Sequence, residues 1–158
     1  LVTGTDDLDE EILMPEDLEC YYVTPSGKGL LDGSSWDNAM STELLRNLLN
    51  ASSNTDITIQ NAERLDGKYI YLAAGEYELV KNDAGINVDY TGCKNPVEIY
   101  IEGGYDPQSA GTDLSKRDTK RFVTSLIRKT DSHANKTINS VFQLGNQTSL
   151  HFNGCVFD

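Results

Sequence analysis

"VEIYIEGGYDP", residues 97–107, decides how this chain is read. Val97, Ile99 and Ile101 alternate with Glu98, Tyr100 and Glu102, the period-two pattern of a strand with one buried face. Gly103-Gly104 then interrupts the alternation, and Tyr105 is expected to open the next face. A strand that stops in two glycines suits a fold in which the chain turns sharply while a neighbouring strand lies about 4.8 Å away. Glycine tolerates the positive φ and the close backbone approach that such a corner needs.

Short segments of the same kind recur: Cys20–Thr24, Ile57–Ile59, Tyr69–Leu72, Tyr77–Val80, Ile86–Val88, Thr124–Ile127, Val141–Leu144, Ser149–Phe152 and Cys155–Phe157. Turn formers separate them, among them Gly67, Gly75, Gly85, Gly92, Gly111, Gly145 and Gly154. Such a set fits a sandwich, a barrel or a solenoid. Three features favour the solenoid. The hairpin signature of Asn-Gly or Asp-Gly between alternating strands is clear only at Asp66-Gly67. Similar strands, "IYL" from 70, "IYI" from 99, "SLI" from 125 and "LHF" from 150, follow at 25–29-residue steps, as stacked repeats do. Last, "NGCVFD" at 153–158 reads as a strand broken off, so the expectation is a solenoid cut from a longer protein.

One helix stands out. Ser34 or Ser35 is an N-cap candidate, with Asp37 in a capping-box position after Ser34. Trp36, Met40, Leu44 and Leu48 then recur every fourth residue, which predicts about four turns ending near Ser52-Ser53-Asn54.

The segments "YYVTPSGKG…DGSSWDNAM", "YIYLAAGEYEL" and "VEIYIEGGYDPQSAGTDLSKRD…TSLI" resemble the N-terminal part of secreted bacterial right-handed parallel β-helix proteins. That group includes the pectate-lyase-like superfamily and proteins with polymorphic outer-membrane repeats. The resemblance runs from Tyr21 to Phe157. It implies a mainly β chain, a right-handed parallel β-helix of few coils whose N-terminal mouth is covered by the helix after Trp36. It also implies a secreted or cell-surface location, an export signal already removed, and polysaccharide or other surface proteins as partners. An open solenoid end exposes unpaired backbone groups and an apolar cross-section, so some cap is physically required. The far end is expected to be uncapped, and to continue in a longer protein or self-associate end to end.

Composition narrows the function. Of the 158 residues 38% are apolar and 24% charged, and no apolar run reaches the roughly 18 residues of a membrane span. The net charge is −12, and residues 1–19 hold eight acids and no base, which reads as an acidic leader or tether before a unit spanning 20–158. Asp7, Asp9 and Glu11 start like a calcium loop, but the turn glycine and the closing Glu are missing. An acidic surface argues against nucleic acid as a partner. The three cysteines, Cys20, Cys93 and Cys155, have no metal-ligand spacing.

Complete catalytic sets are absent from the sequence. Asn54-Thr55-Asp56 matches one element of the polysaccharide hydrolases on this fold, without their paired acids, Gly-His-Gly or Arg-x-Lys. Asp113, Arg117 and Asp118, in the mixed-charge stretch 106–121, are the weak candidates for a lyase site, the one reading under which calcium would enter. Interleaved acids and bases are more simply a solvated, self-compensating loop. His133 and His151 have no partner at sequence level, "SGKG" at 26–29 lacks the first glycine of a phosphate loop, and the sequons at Asn50, Asn135 and Asn146 carry no weight in a bacterial product. Tyr71 and Tyr100 take equivalent outward places in "IYL" and "IYI", as an aromatic ladder or a glycan-stacking platform. Trp36, Met40, Leu44, Leu48, Gly75, Gly103 and Gly104 are expected to act structurally. The preferred function is a non-catalytic cap, stalk or adhesin-like segment; the alternative is a polysaccharide lyase or glycoside hydrolase with its groove on or beyond these strands.

Overall fold

The computed structural model describes residues 17–51, 55–80, 84–108, 113–128 and 141–158. The leader before Asp17, the helix end at 52–54, Gly111, His133 and the Asn135 sequon lie outside the described residues. The chain is mainly β, with strands β1 (Cys20–Val23), β2 (Lys68–Ala73), β3 (Gly75–Glu78), β4 (Ile86–Val88), β5 (Val97–Tyr105), β6 (Thr124–Ile127), β7 (Phe142–Leu144), β8 (Thr148–Asn153) and β9 (Cys155–Phe157). Two α-helices, α1 (Thr42–Leu49) and α2 (Thr55–Leu65), lie between β1 and β2.

The strands form three sheets, ordered β1-β2-β5-β8, β3-β6-β9 and β4-β7, and every pairing between these strands is parallel. From β2 onward the chain visits the first, second and third sheets in turn, then repeats the order. Alternation does the rest: Val97, Ile99 and Ile101 are buried while Glu98 faces solvent. Their inward neighbours Ile70, Leu72, Tyr77, Ile86, Val88 and Leu126 join them in one core. Full burial of such a side chain contributes about 1.5–3 kcal/mol before chain entropy is subtracted.

Tyrosine hydroxyls satisfy carbonyls inside this core. Tyr77 Oη lies 2.8 Å from Ala73 O and 3.0 Å from Val23 O, and Tyr90 donates to Leu49 O at 3.0 Å. Both phenols are pushed well above their ordinary pKa, first by burial.

Several expectations require correction. The residues from Trp36 onward are not one helix: a 3-10 turn covers Trp36–Asn38 with Ser35 as its N-cap, and the chain is extended at Ala39. Met40 forms a parallel bridge with Val23, and Ser41 then N-caps α1 by accepting from Leu44 N. The backbone of Met40 is used by β1, so a continuous helix there is excluded. The four-residue spacing therefore joins side chains with different roles. Met40 and Leu48 are buried in the main core and Leu44 packs partly buried against it, but Trp36 belongs to a separate cluster with Tyr22 and Tyr105.

Ile57–Ile59 is helix α2, not a strand; its buried positions Thr58, Asn61, Ala62 and Leu65 have helical spacing. Tyr77–Val80 gives way to β3 starting at Gly75, where Pro25 Cγ would be 2.5 Å from an added Cβ. Gly103-Gly104 does not end β5, and Tyr105 is its last residue rather than the start of a new face. Tyr71 pairs with Glu102 but Ala73 with Tyr105, so β5 holds one extra residue in a β-bulge. Gly104 has φ +94°, and a Cβ on Gly103 would lie 2.6 Å from the carbonyl oxygen of Gly154, in the corner between β8 and β9. The even period is also corrected. Lys68 is level with Ile99 and Val97 with Thr148, offsets of 31 and 51 residues, while "SLI" belongs to the second sheet.

The two edges of the stack differ. On the β1 side, Met40 N donates to Tyr22 O (2.9 Å), Tyr22 N to Gly33 O (2.9 Å) and Thr24 N to Met40 O (3.0 Å), so the residues after Gly33 cover the outer edge of β1. Ala51 N donates to Asn87 O and Asn87 N to Asn50 Oδ1, closing the edge of β4. Arg46 donates to Leu79 O at 2.7 Å. On the far side β7, β8 and β9 have no further strand partner among the described residues, and Leu144, Val156 and Phe157 are about half exposed (52%, 50% and 53%).

Candidate functional site

The outward face of the first sheet concentrates the exposed chemistry. Parallel register sets Cys20, Tyr69, Tyr100 and His151 in one row across β1, β2, β5 and β8. Tyr69 and Tyr100 stack with centroids 4.9 Å apart and planes 18° apart; Tyr100 and His151 stack at 4.6 Å and 13°. Strand spacing alone produces this, because level residues on adjacent strands sit one ring thickness plus an offset apart. The ladder exists, but with Tyr69 opposite Tyr100. Tyr71 stands level with Tyr22 and Glu102, one row along, so the expected pairing of Tyr71 with Tyr100 is two residues out of register.

That second row is enclosed. Tyr22 meets Trp36 edge-on at 4.8 Å, Trp36 lies 5.9 Å from Tyr105, and Tyr105 meets Tyr71 edge-on at 5.2 Å. Tyr22, Trp36 and Tyr105 are buried and Tyr71 partly so. Sequence reading missed this cluster; the signal was the row Tyr22, Tyr71, which only the register reveals.

Carboxylates border the rows. Glu98 accepts from Tyr100 Oη at 3.3 Å and lies 3.8 Å from His151 Nε2. Glu102 accepts from Tyr105 Oη at 2.8 Å. The charge of Glu98 is the main reason that the Tyr100 phenol is raised above its ordinary value, whereas for Tyr105 burial leads and Glu102 adds to it. The face offers phenol edges and negative charge. The flat surfaces of Tyr100 are taken up by its two stacking partners, leaving its rim to solvent.

The stretch 113–121 forms a strap beside the bulge. Asp113 accepts from Ser115 N (3.0 Å) and from its hydroxyl, capping the 3-10 turn Leu114–Lys116, and lies 3.8 Å from Lys116 Nζ. Asp118 accepts from Lys120 N and Arg121 N, both at 3.0 Å. Hydrogen bonds hold both carboxyls below the usual carboxylate range: to Asp113 from the Ser115 side chain first, to Asp118 from the Arg121 amide first. Arg117 donates through Nε to Gly103 O and through a terminal nitrogen to Asn153 Oδ1, each at 2.7 Å, and its guanidinium sits 5.6 Å from the Tyr105 ring centre. Each of the three lyase candidates is thus engaged in holding the strap, with Arg117 tying β5 to β8.

A shallow groove of about 630 Å³ lies between the α1 start and β3, lined by Ser41, Thr42, Glu43, Arg46, Glu76 and Glu78 among others. Lys28 is paired with Asp37 at 2.8 Å, so the "SGKG" lysine is occupied. No group of three or more potential metal ligands occurs among the described residues. No helix among them is long and apolar enough to cross a membrane. Comparison of the chain with protein-family models, with curated proteins and with solved structures finds no match.

Proposed function

We propose that this chain is a scaffold: a segment of a right-handed parallel β-helix, closed at its N-terminal mouth by the Pro25–Ala51 region, that serves as cap and stalk of a secreted or cell-surface protein. The carrying observation is the cyclic order in which the chain visits three parallel sheets, with successive circuits in register. Right-handed winding is the rule for parallel crossover connections. Repeating circuits that contact only their neighbours suit an elongated spacer, whose terminal repeat needs a cover. The extracellular location follows from the resemblance of Tyr21–Phe157 to secreted β-helix proteins.

A passive role is supported by what the charged residues do. Asp113, Arg117 and Asp118 are committed to backbone and Asn153 partners, so a uronate would have to displace structural hydrogen bonds to reach them. The aromatic rows favour a structural ladder over a sugar platform, since pyranose stacking needs a free ring face. Surface proteins are therefore better partners than polysaccharide.

Incubation with polygalacturonate and calcium, followed by absorbance of unsaturated product, tests this. No product is expected; product that disappears in Arg117→Ala would replace the scaffold by a lyase. On a glycan array no binding is expected, and a signal lost in both Tyr69→Ala and Tyr100→Ala would restore the platform. The winding is tested by Glu98→Cys with Ser149→Cys, level on adjacent strands, which should form a disulfide without loss of stability.

A further inference from the structure

We propose that Asn153-Gly154 is a latent self-modification site, an asparagine that can convert itself to aspartate or isoaspartate, and that Arg117 keeps it as the amide. This is the chain's one Asn-Gly dipeptide, and it sits at the corner where β8 gives way to β9. The fold requires glycine at 154. Its φ is +69°, and an added Cβ would run into the Arg117 guanidinium and lie 2.9 Å from Gly103 O. No side chain of its own therefore shields the Gly154 nitrogen, the group that can close a five-membered ring on the preceding carboxamide.

The step balances without a cofactor. Gly154 N gives up its proton and bonds to Asn153 Cγ; the Cγ–Nδ2 bond breaks, and the nitrogen leaves as ammonia carrying that proton. Water then opens the cyclic imide at one carbonyl to give aspartate, or at the other to give isoaspartate. Ring closure requires the side chain to swing until Cγ faces Gly154 N. Arg117 opposes that swing. Its Nε is fixed to Gly103 O and a terminal nitrogen holds Asn153 Oδ1, each at 2.7 Å, so the carboxamide is tied through the guanidinium to β5.

The register shows what conversion does. Asn153 is level with Glu102 on β5. An aspartate there sets like charges opposite each other, which destabilises a ladder. Isoaspartate adds a carbon to the backbone at a corner where a Cβ on Gly103 would already lie 2.6 Å from Gly154 O. Once the strap has been lifted long enough for the imide to form, the rung does not return to its original state. The clasp is a chemical guard, and its loss leaves a permanent covalent mark. This goes beyond the scaffold reading and holds whether or not the chain has catalytic activity.

The unaltered full chain, Arg117→Ala, Arg117→Lys and Leu45→Ala are incubated in heavy-oxygen water at neutral and mildly alkaline pH and mapped by peptide mass spectrometry. The unaltered chain is expected to keep its amide. Arg117→Ala should convert about tenfold faster or more, the leverage of one charge-assisted hydrogen bond. Its peptide should take up heavy oxygen, split into aspartate and isoaspartate forms, and convert faster as pH rises, because Gly154 N must lose its proton. Arg117→Lys keeps the charge without the two-point hold and should convert as well. Leu45→Ala lowers global stability but leaves the clasp in place, so its amide should persist. Unfolded in guanidinium, all four should convert alike, while Asn153→Gln, whose longer side chain needs a larger ring, should not. Equal rates in the unaltered chain and both Arg117 variants would overturn the proposal. So would equally fast conversion in folded Leu45→Ala, or an unfolded chain that keeps its amide.

Discussion

The two ends of the sheet stack are built from similar strands and treated in opposite ways. β1 and β8 lie at opposite edges of the first sheet, and both alternate inward apolar residues with outward ones. The residues after β1 fold back to bond its edge, while α1 and the residues following it close the neighbouring sheet. Nothing among the described residues does the same for β8. Edge strands thus become safe through the segment placed over them rather than through their own sequence.

The comparison can be broken in graded ways. The largest effect is expected from alkali, because Tyr77 and Tyr90 tie the covered end together with hydroxyls held neutral by burial. Their folded pKa values are raised. Their stabilisation is therefore complete below the unfolded value, about 10, and is lost as pH climbs through the folded values. Melting followed by circular dichroism between pH 7 and 12 should show cooperative loss beginning only above pH 10. Unchanged melting at pH 11 would contradict the buried geometry.

Next in size, Leu45→Ala in the covering helix, at 2% exposure, should cost about 2–5 kcal/mol in denaturant unfolding. Val156→Ala at the bare end, where the side chain is half exposed, should cost about 0.5 kcal/mol or less. Equal losses would erase the distinction between the ends. Gly103→Ala drives a Cβ toward the Gly154 carbonyl and the Thr124 side chain, at an expected cost of about 1–3 kcal/mol. Arg117→Ala should cost about 1–2 kcal/mol by releasing Gly103 O and Asn153 from one clasp, and Arg117→Lys should recover little of it. Tyr100→Ala should cost about 0.5–1 kcal/mol from two ring contacts on a partly exposed face, more only than Val156→Ala.

Where side-chain alternation decided the structure, the sequence was legible. β4, β6 and β9 have the predicted bounds, and the inward and outward faces of β5 follow directly from its apolar period. The helix α2 was not legible because its most buried positions include Thr58 and Asn61, while Ile57 and Ile59, which imitate a strand, are only partly buried. Asn61 Oδ1 even lacks a hydrogen-bond partner there. Hydrophobicity pointed to the wrong face. The four-residue rhythm from Trp36 to Leu48 failed for a different reason: tertiary hydrogen bonds from β1 claim Met40 and override the local helical pattern. Register was hidden as well, because the intervals between level residues are unequal. That is why Tyr71 was matched to Tyr100 and Tyr69 was passed over.

Those unequal intervals have a consequence for how such a chain can diversify. Successive circuits differ by twenty residues in length, 31 against 51, yet the ladders on either side stay in step. The surplus is absorbed between strands, where each doubling of a flexible connection costs only about 0.6 kcal/mol. Connections between strands are therefore the natural places for added length, which the parallel ladders tolerate without losing register.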